Sequence, residues 1–266
     1  MSDLGRQIRL RRLMSHRFNR LLDVTADHAI ARGVLPGLED IAGAIDRLIE
    51  GRPDAITMHK GIAERCFVPY AGEVALIIKC SSFSPFHPAY DTMITSVEEA
   101  VRLGADAVSL GVIVGDARQP EALTNLGVFV KEARLLGIPT VAHIYPRGSL
   151  IPEGERASVE HVRYAARVAA EVGIDIIKTT YTGSVESFAK VIEACPAPVV
   201  AAGGVEAQDA RTFLQKARDV IDAGGAGLAC GRFVWGYPDA PRLIQALKHI
   251  IHQDGSVASA VEVLES

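Results

Sequence analysis

Eight short apolar or β-branched runs recur along the chain, each followed by an amphipathic stretch, and this alternation limits the possible folds more than any other feature. The strand candidates are Leu22–His28, Ala55–Lys60, Val74–Cys80, Ala107–Val114, Thr140–Tyr145, Asp175–Tyr181, Pro198–Gly203 and Gly227–Phe233. Helical patterns lie between them, at Leu38–Ile49, Val97–Leu103, Glu121–Leu136, Val159–Val172, Val185–Glu193, Ala207–Ala223 and Ala240–Ile251. Three junctions repeat one phrase: Leu103-Gly104-Ala105-Asp106, Leu136-Gly137-Ile138-Pro139 and Val172-Gly173-Ile174-Asp175. In each a glycine closes a helix and a strand begins at once.

Strict alternation implies parallel strands joined by right-handed crossovers. Eight such units in 266 residues match the length of a closed α/β barrel, the (β/α)8 or TIM barrel. A doubly wound open sheet is the alternative, but no GxGxxG turn follows the first run. No linker or composition break divides the chain, so residues 1–266 read as one domain. An extra helix is expected before Leu21 and a short one after Gly255.

Composition excludes several classes. Hydrophobic residues make up 48%, ample for a core, and the net charge of -4 provides no basic domain to neutralise nucleic-acid phosphates. The basic run containing Arg9, Arg11, Arg12 and Arg17 reads as a solvated or subunit-facing helix. Cys66, Cys80, Cys195 and Cys230 form no CxxC pair, which fits a reducing cytoplasm. No apolar run is long enough for a membrane span, and no signal peptide is evident.

In a barrel, the C-terminal ends of the strands converge on one site. The first run ends Thr25-Ala26-Asp27-His28, the fifth ends His143-Ile144-Tyr145-Pro146-Arg147-Gly148, and the sixth carries Lys178. A buried ammonium is costly, so an interior lysine tends toward the neutral amine, which attacks carbonyls and forms a Schiff base. An acid, a phenol and an amine in one pocket suit that chemistry, the lysine capturing a ketone and the other two moving protons. The last two runs end in Ala202-Gly203-Gly204 and Cys230-Gly231-Arg232. Glycines there let backbone N–H groups approach a phosphate, and Arg232 adds a bidentate partner.

Other uses compete. Asp27 also suits a helix N-cap, and Tyr145 a packed aromatic at a strand end. His28, His59 and His143 are scattered, which disfavours a metal site. Lys60 and Lys79 also lie at strand ends, so position alone does not select Lys178, and Asp23 stays unassigned.

Taken together, these residues resemble the class I aldolase family that includes archaeal-type fructose-bisphosphate aldolase and 2-amino-3,7-dideoxy-D-threo-hept-6-ulosonate synthase. The matching pieces run in order along nearly the whole chain. They include Asp27-His28, His59-Lys60-Gly61-Ile62, Tyr145-Pro146-Arg147-Gly148, Lys178-Thr179-Thr180-Tyr181-Thr182-Gly183, Gly203-Gly204 and Gly231-Arg232. The resemblance implies Lys178 as the Schiff-base lysine, Tyr145 as proton donor and Asp27 as proton acceptor. It implies phosphate or substrate binding by Gly203, Gly204, Gly231, Arg232, Arg147 and His28. No metal or external cofactor is implied, and a homo-oligomer such as a decamer is. Three positions depart from the family pattern. Val205-Glu206-Ala207 replaces Pro-Lys-Thr after the glycines, Phe233 replaces Asn after Gly-Arg, and Ala29 replaces glycine after Asp27-His28.

The expected activity is that of a Schiff-base aldolase making or cleaving a C–C bond in a ketose phosphate, with dihydroxyacetone phosphate as donor. Two alternatives keep the fold. One is a synthase that condenses a triose or ketose phosphate fragment with aspartate semialdehyde, and the other is a thiolase-like acyl transferase. A ring-assembly subunit with a vestigial site is a third, from another class.

Overall fold

The computed structural model describes residues 3–14, 17–203 and 208–266. In chain order the strands are β1 (Leu21–Thr25), β2 (Ala55–Met58), β3 (Ala75–Lys79), β4 (Ser81–Ser84), β5 (His87–Met93), β6 (Ala107–Ile113), β7 (Thr140–Tyr145), β8 (Ile176–Thr179), β9 (Val199–Ala202) and β10 (Gly227–Cys230). Eight of them close into a parallel barrel in the order β1-β2-β3-β6-β7-β8-β9-β10, with β10 pairing back to β1. This is the (β/α)8 barrel that the alternation implies. β4 and β5 form a separate antiparallel hairpin.

The helices are α1 (Leu4–Leu13), α2 (His28–Arg32), α3 (Ile41–Glu50), α4 (Lys60–Cys66), α5 (Val97–Arg102), α6 (Gln119–Leu135), α7 (Val159–Val172), α8 (Val185–Glu193), α9 (Ala210–Asp222), α10 (Arg232–Trp235), α11 (Ala240–Gln253) and α12 (Val257–Glu265). Gly104, Gly137 and Gly173 hold φ of 82°, 65° and 98°, the left-handed region that glycine enters without steric cost. The repeated junction phrase is thus a repeated helix stop. Buried faces such as Phe213, Leu214, Ala217, Val220 and Ile221 of α9 pack the helices onto the strands, each large side chain worth roughly 1.5–3 kcal/mol.

Inside the barrel, successive residues alternate between core and interior. Leu21, Ala55, Ile77, Ala107, Val141 and Ile176 form an apolar layer with Leu13 and Met14 from the end of α1. Two residues further along the same faces stand Asp23, Thr57, Lys79, Ser109, His143 and Lys178, all buried. The chemistry therefore begins one side-chain layer above the apolar floor.

Three points need correction. Leu22–His28, Asp175–Tyr181 and Gly227–Phe233 overrun their strands, because the residues at the mouth leave the ladder and enter α2, an irregular loop and α10. The hairpin β4–β5 was assigned no element. Nor is the N-terminal basic run simply solvated. Arg6 pairs with Asp175, Arg9 donates to the Gly137 carbonyl at 2.9 Å, and Arg12 pairs with Asp106 at 3.0 Å. These contacts fasten α1 beneath the barrel. Among the described residues, no helix is long and apolar enough to cross a membrane.

Candidate active site

The mouth of the barrel holds a cavity of about 180 Å3. Lys178, Tyr145, Asp27, His28, Arg147, Gly203, Gly231 and Arg232 all line it, which brings together every expected site residue except Gly204, which lies outside the described residues. Lys178 is 6% exposed. It shares the inward face of β8 with Ile176, and His143 of β7 is its register partner. Thr179, facing outward, donates to the Ile144 carbonyl at 2.9 Å and pins this stretch of β8 to β7.

Tyr145 follows His143 on the same face of β7, two residues closer to the mouth. The Arg147 guanidinium lies 4.2 Å from the centre of the Tyr145 ring, a cation–π contact. Asp27 occupies the N-cap position of α2, yet its side chain caps no backbone N–H. The carboxylate instead faces the cavity, Oδ1 lying 3.6 Å from His28 Nδ1 and Oδ2 lying 3.9 Å from His143 Nδ1.

Burial opposes ionisation of Asp27, but the surrounding His28, His143, Lys178 and Lys79 outweigh it and hold the carboxyl well below the usual range. The two imidazoles act this way only when protonated. Burial lowers His28 to about 4 and His143 well below its ordinary value, so both rings are neutral near pH 7. One layer deeper, burial raises Asp23 to about 7, opposed by Lys178 and by the Thr57 hydroxyl, which lies 2.9 Å from both carboxylate oxygens. Asp23 thus shares the inward face that leads up to Asp27.

Lys60 leaves the contest between lysines. It lies on α4, pairs with Glu99 at 2.6 Å and does not line the cavity. Lys79 does line it, but Ser81 Oγ accepts from its Nζ at 3.2 Å and Asp91 Oδ1 lies at 3.8 Å. Among the described residues, no side chain hydrogen-bonds Lys178.

Beside β8, the ends of β9 and β10 form a cradle. A Cβ on Gly203 would stand 2.3 Å from the Cys230 Cβ, and one on Gly231 would stand 2.4 Å from the Thr25 carbonyl oxygen. Only bare backbone fits at either point. Arg232 opens α10 directly after Gly231. Lys216 of α9 also reaches the cradle, its Nζ donating to the Gly203 carbonyl at 3.1 Å. Sequence reasoning missed Lys216, Ser82 and Asp91 as lining residues. Among the described residues, no three side chains of metal-ligand type converge.

Comparison with known proteins identifies the family of this barrel. The family described as DeoC/LacD family aldolase matches residues 21–236. The chain is 38% identical to a 2-amino-3,7-dideoxy-D-threo-hept-6-ulosonate synthase of Halobacterium salinarum, over 98% of this chain and 97% of that one. It is 32% identical to a 2-amino-4,5-dihydroxy-6-oxo-7-(phosphonooxy)heptanoate synthase of Streptomyces griseus, over 96% and 93%. An archaeal fructose-1,6-bisphosphate aldolase, solved with its catalytic lysine covalently bound to a carbinolamine intermediate, superposes with a TM-score of 0.84 at 29% identity, covering 93% of this chain and 99% of that one. With the family match over residues 21–236 and a relative 38% identical over nearly the whole length of both chains, the chain belongs to the DeoC/LacD aldolase family.

Proposed function

We propose that this aldolase works through a Schiff base on Lys178. The observation that carries the reading is that Lys178, Tyr145 and Asp27 line one cavity with the cradle of Gly203, Gly231 and Arg232 beside them. The free amine of Lys178 adds to the ketone of dihydroxyacetone phosphate or a ketose phosphate, and the carbinolamine loses water to give a protonated imine. The imine is the electron sink, so the reaction draws on no external cofactor. In the cleavage direction a proton leaves the hydroxyl of the departing carbon, the C–C bond breaks and the electron pair becomes an enamine. In the synthetic direction the enamine attacks an aldehyde, whose oxygen takes up that proton.

Tyr145 and Asp27 move the proton in this scheme. Tyr145 is the only one of the two with an O–H to donate at neutral pH, because the cationic surroundings keep Asp27 ionised. The phosphate of the donor sits at Gly203, Gly231 and Arg232, where two residues without a Cβ leave room beside a guanidinium that lines the same cavity. Helices α1 and α12 pack onto the barrel, which supports one catalytic unit spanning residues 1–266.

A fructose-bisphosphate-type cleavage is the first reading of the substrate. The two curated relatives favour a second, in which the enamine condenses with an amino-acid aldehyde such as aspartate semialdehyde. The product named for the Streptomyces griseus relative carries phosphate on C7, a ketone at C6 and an amino group at C2 of a heptanoate. Borohydride reduction with dihydroxyacetone phosphate, followed by peptide mass mapping, tests the shared core. The expected result is an irreversible adduct on Lys178. Measurable activity with no such adduct refutes the mechanism.

A further inference from the structure

Asp23 and Lys178 are a buried acid and a buried amine in the polar layer above the apolar floor, 1% and 6% exposed. Asp23 stands on β1 and Lys178 on β8, with β10 and β9 between them. Asp23 is in register with Ala229 of β10, Ala229 with Ala202 of β9, and Lys178 with Val200 of β9. The inward side chains Val200, Ala202 and Ala229 are all short, so the acid and the amine face the same space.

Asp23 is poorly served as an isolated anion. The Thr57 hydroxyl lies 2.9 Å from both carboxylate oxygens, but its one hydrogen satisfies only one of them at a time. Among the described residues, no other side-chain hydrogen bond and no ion pair reaches Asp23. A buried carboxylate in that state is costly unless a cation compensates it. The other charged groups around it have partners of their own. Asp27 lies between His28 and His143, Asp54 accepts from the Leu22 N–H at 2.6 Å and meets His252 Nε2 at 2.8 Å, and Lys79 is held by Ser81 and Asp91. Burial raises the Cys230 thiol of β10 to about 12, so it stays neutral. Burial also favours the neutral acid at Asp23, and Lys178 comes first among the influences that oppose it. Lys178 is thus the cation that Asp23 faces.

Building on the Schiff-base reading above, we infer that Asp23 is a positioning residue for that chemistry, the buried counter-charge of the Lys178 nitrogen whenever that nitrogen is cationic. The nitrogen is cationic twice, as the ammonium and as the protonated imine. Both species put one positive charge on the same atom, so one interaction supports both. Asp23 takes no part in the bonds that form and break. The amine adds to the ketone, the carbinolamine hydroxyl takes a proton and leaves as water, and the nitrogen is left positive. Asp23 lowers the cost of holding that charge away from water, and the charged imine is what draws the electron pair from the breaking C–C bond.

The test reads this nitrogen in two ways, in the full-length wild type, Asp23→Asn and Thr57→Val. Labelling of Lys178 by acetic anhydride over a pH series, quantified by peptide mass mapping, gives the midpoint at which the amine becomes free, with no substrate present. In Asp23→Asn the midpoint is expected to fall by roughly one pH unit, because the ammonium loses its counter-charge. Borohydride trapping with saturating dihydroxyacetone phosphate, at a pH above both midpoints, reads the charged imine. Its initial rate is expected to fall roughly 10-fold, the same interaction acting on the same atom. Thr57→Val keeps Asp23 and withdraws its one donor, so both readouts move the same way by less. A midpoint that stays in place or rises overturns the role of Asp23. So does a slower trapping rate with no shift of the midpoint, which marks a distorted pocket. Should Asp23→Asn not fold, Thr57→Val decides alone. An adduct on wild-type Lys178 with an unmoved midpoint overturns the role of Asp23 only, and no adduct overturns the Schiff-base reading and that role with it.

Discussion

His143 and Lys178 are register partners across β7 and β8, and His143 Nδ1 also lies 3.9 Å from Asp27 Oδ2. One imidazole therefore borders both the amine and the carboxylate. Burial keeps it neutral, and its Nε2 has no hydrogen-bond partner among the described residues. An unsatisfied buried polar atom costs stability, which active sites tolerate for the sake of function. We predict that His143→Leu, of similar volume, gains about 1 kcal/mol of stability while kcat/KM falls. Thermal melting and steady-state kinetics on the same preparation check this, and a variant that melts lower with activity intact would mark His143 as a purely structural residue.

Tyr145 offers a cleaner separation of steps. Its ring is held by Arg147 over one face, so Tyr145→Phe removes the hydroxyl and leaves the ring in place. Loss of a positioned proton donor lowers kcat by about 10²–10⁴-fold. Imine formation on Lys178 is the separate, earlier event, so borohydride trapping should persist in Tyr145→Phe. Loss of both together would show that Tyr145 shapes the pocket and does not move the proton of the C–C step.

How far the site was legible in the sequence depended on where each residue stands. Ile176-Ile177-Lys178 announces both strand and parity, since Ile176 inside places Lys178 inside. Gly173 marks the strand's start through the helix stop before it. The residues 81–93 announce nothing comparable. Ser-Ser-Phe-Ser-Pro-Phe-His has no apolar alternation, because the hairpin covers the mouth and packs no face between sheet and helix, leaving Phe86 87% exposed. Asp91 therefore could not be placed in the cavity. Lys216 was hidden for a different reason. A lysine on an amphipathic helix reads as solvent-facing, and only the close approach of α9 to the end of β9 turns it inward. Position along the chain did not choose among Lys60, Lys79 and Lys178; the family wording around Lys178 did, and the contacts of Lys60 with Glu99 and of Lys79 with Ser81 and Asp91 are visible only in the structure.

Asp23 and His28 make stability depend on pH in opposite senses. Burial raises Asp23 from 3.8 to about 7 in the folded chain. The folded state thus holds a proton that the unfolded state has lost, so this contribution is full below about pH 4 and is lost as pH rises through 7. His28 is lowered from 6.5 to about 4 by burial, so its contribution is present above pH 6.5 and is lost as pH falls toward 4. Asp23→Asn removes the first dependence. Relative to wild type, the variant should gain up to about 4 kcal/mol between pH 4 and pH 7 and no more beyond. Denaturant unfolding at several pH values reads this directly. A stability difference that stays flat from pH 4 to 8 would mean that Asp23 is ionised throughout.

Lys216 gives the last prediction. The Gly203 carbonyl faces the cradle, and a bare carbonyl oxygen there would repel a phosphate. Lys216 Nζ donates to that oxygen at 3.1 Å and lies 5.6 Å from the centre of the Tyr181 ring, so its charge stands at the phosphate end while its stem packs beside an aromatic. In sequence, Val205-Glu206-Ala207 brings no lysine to the stretch after the glycines, so Lys216 is the lysine that the described residues place beside Gly203. Lys216→Met keeps the aliphatic stem and removes the charge. A charge-assisted bond to phosphate is worth enough that KM for dihydroxyacetone phosphate should rise roughly 10- to 100-fold. The preference for dihydroxyacetone phosphate over unphosphorylated dihydroxyacetone should fall by the same factor, because only the phosphorylated donor uses the charge. Parallel steady-state measurements with both donors check it. If the two donors lose efficiency equally, Lys216 supports the fold of β9 and plays no part in phosphate binding.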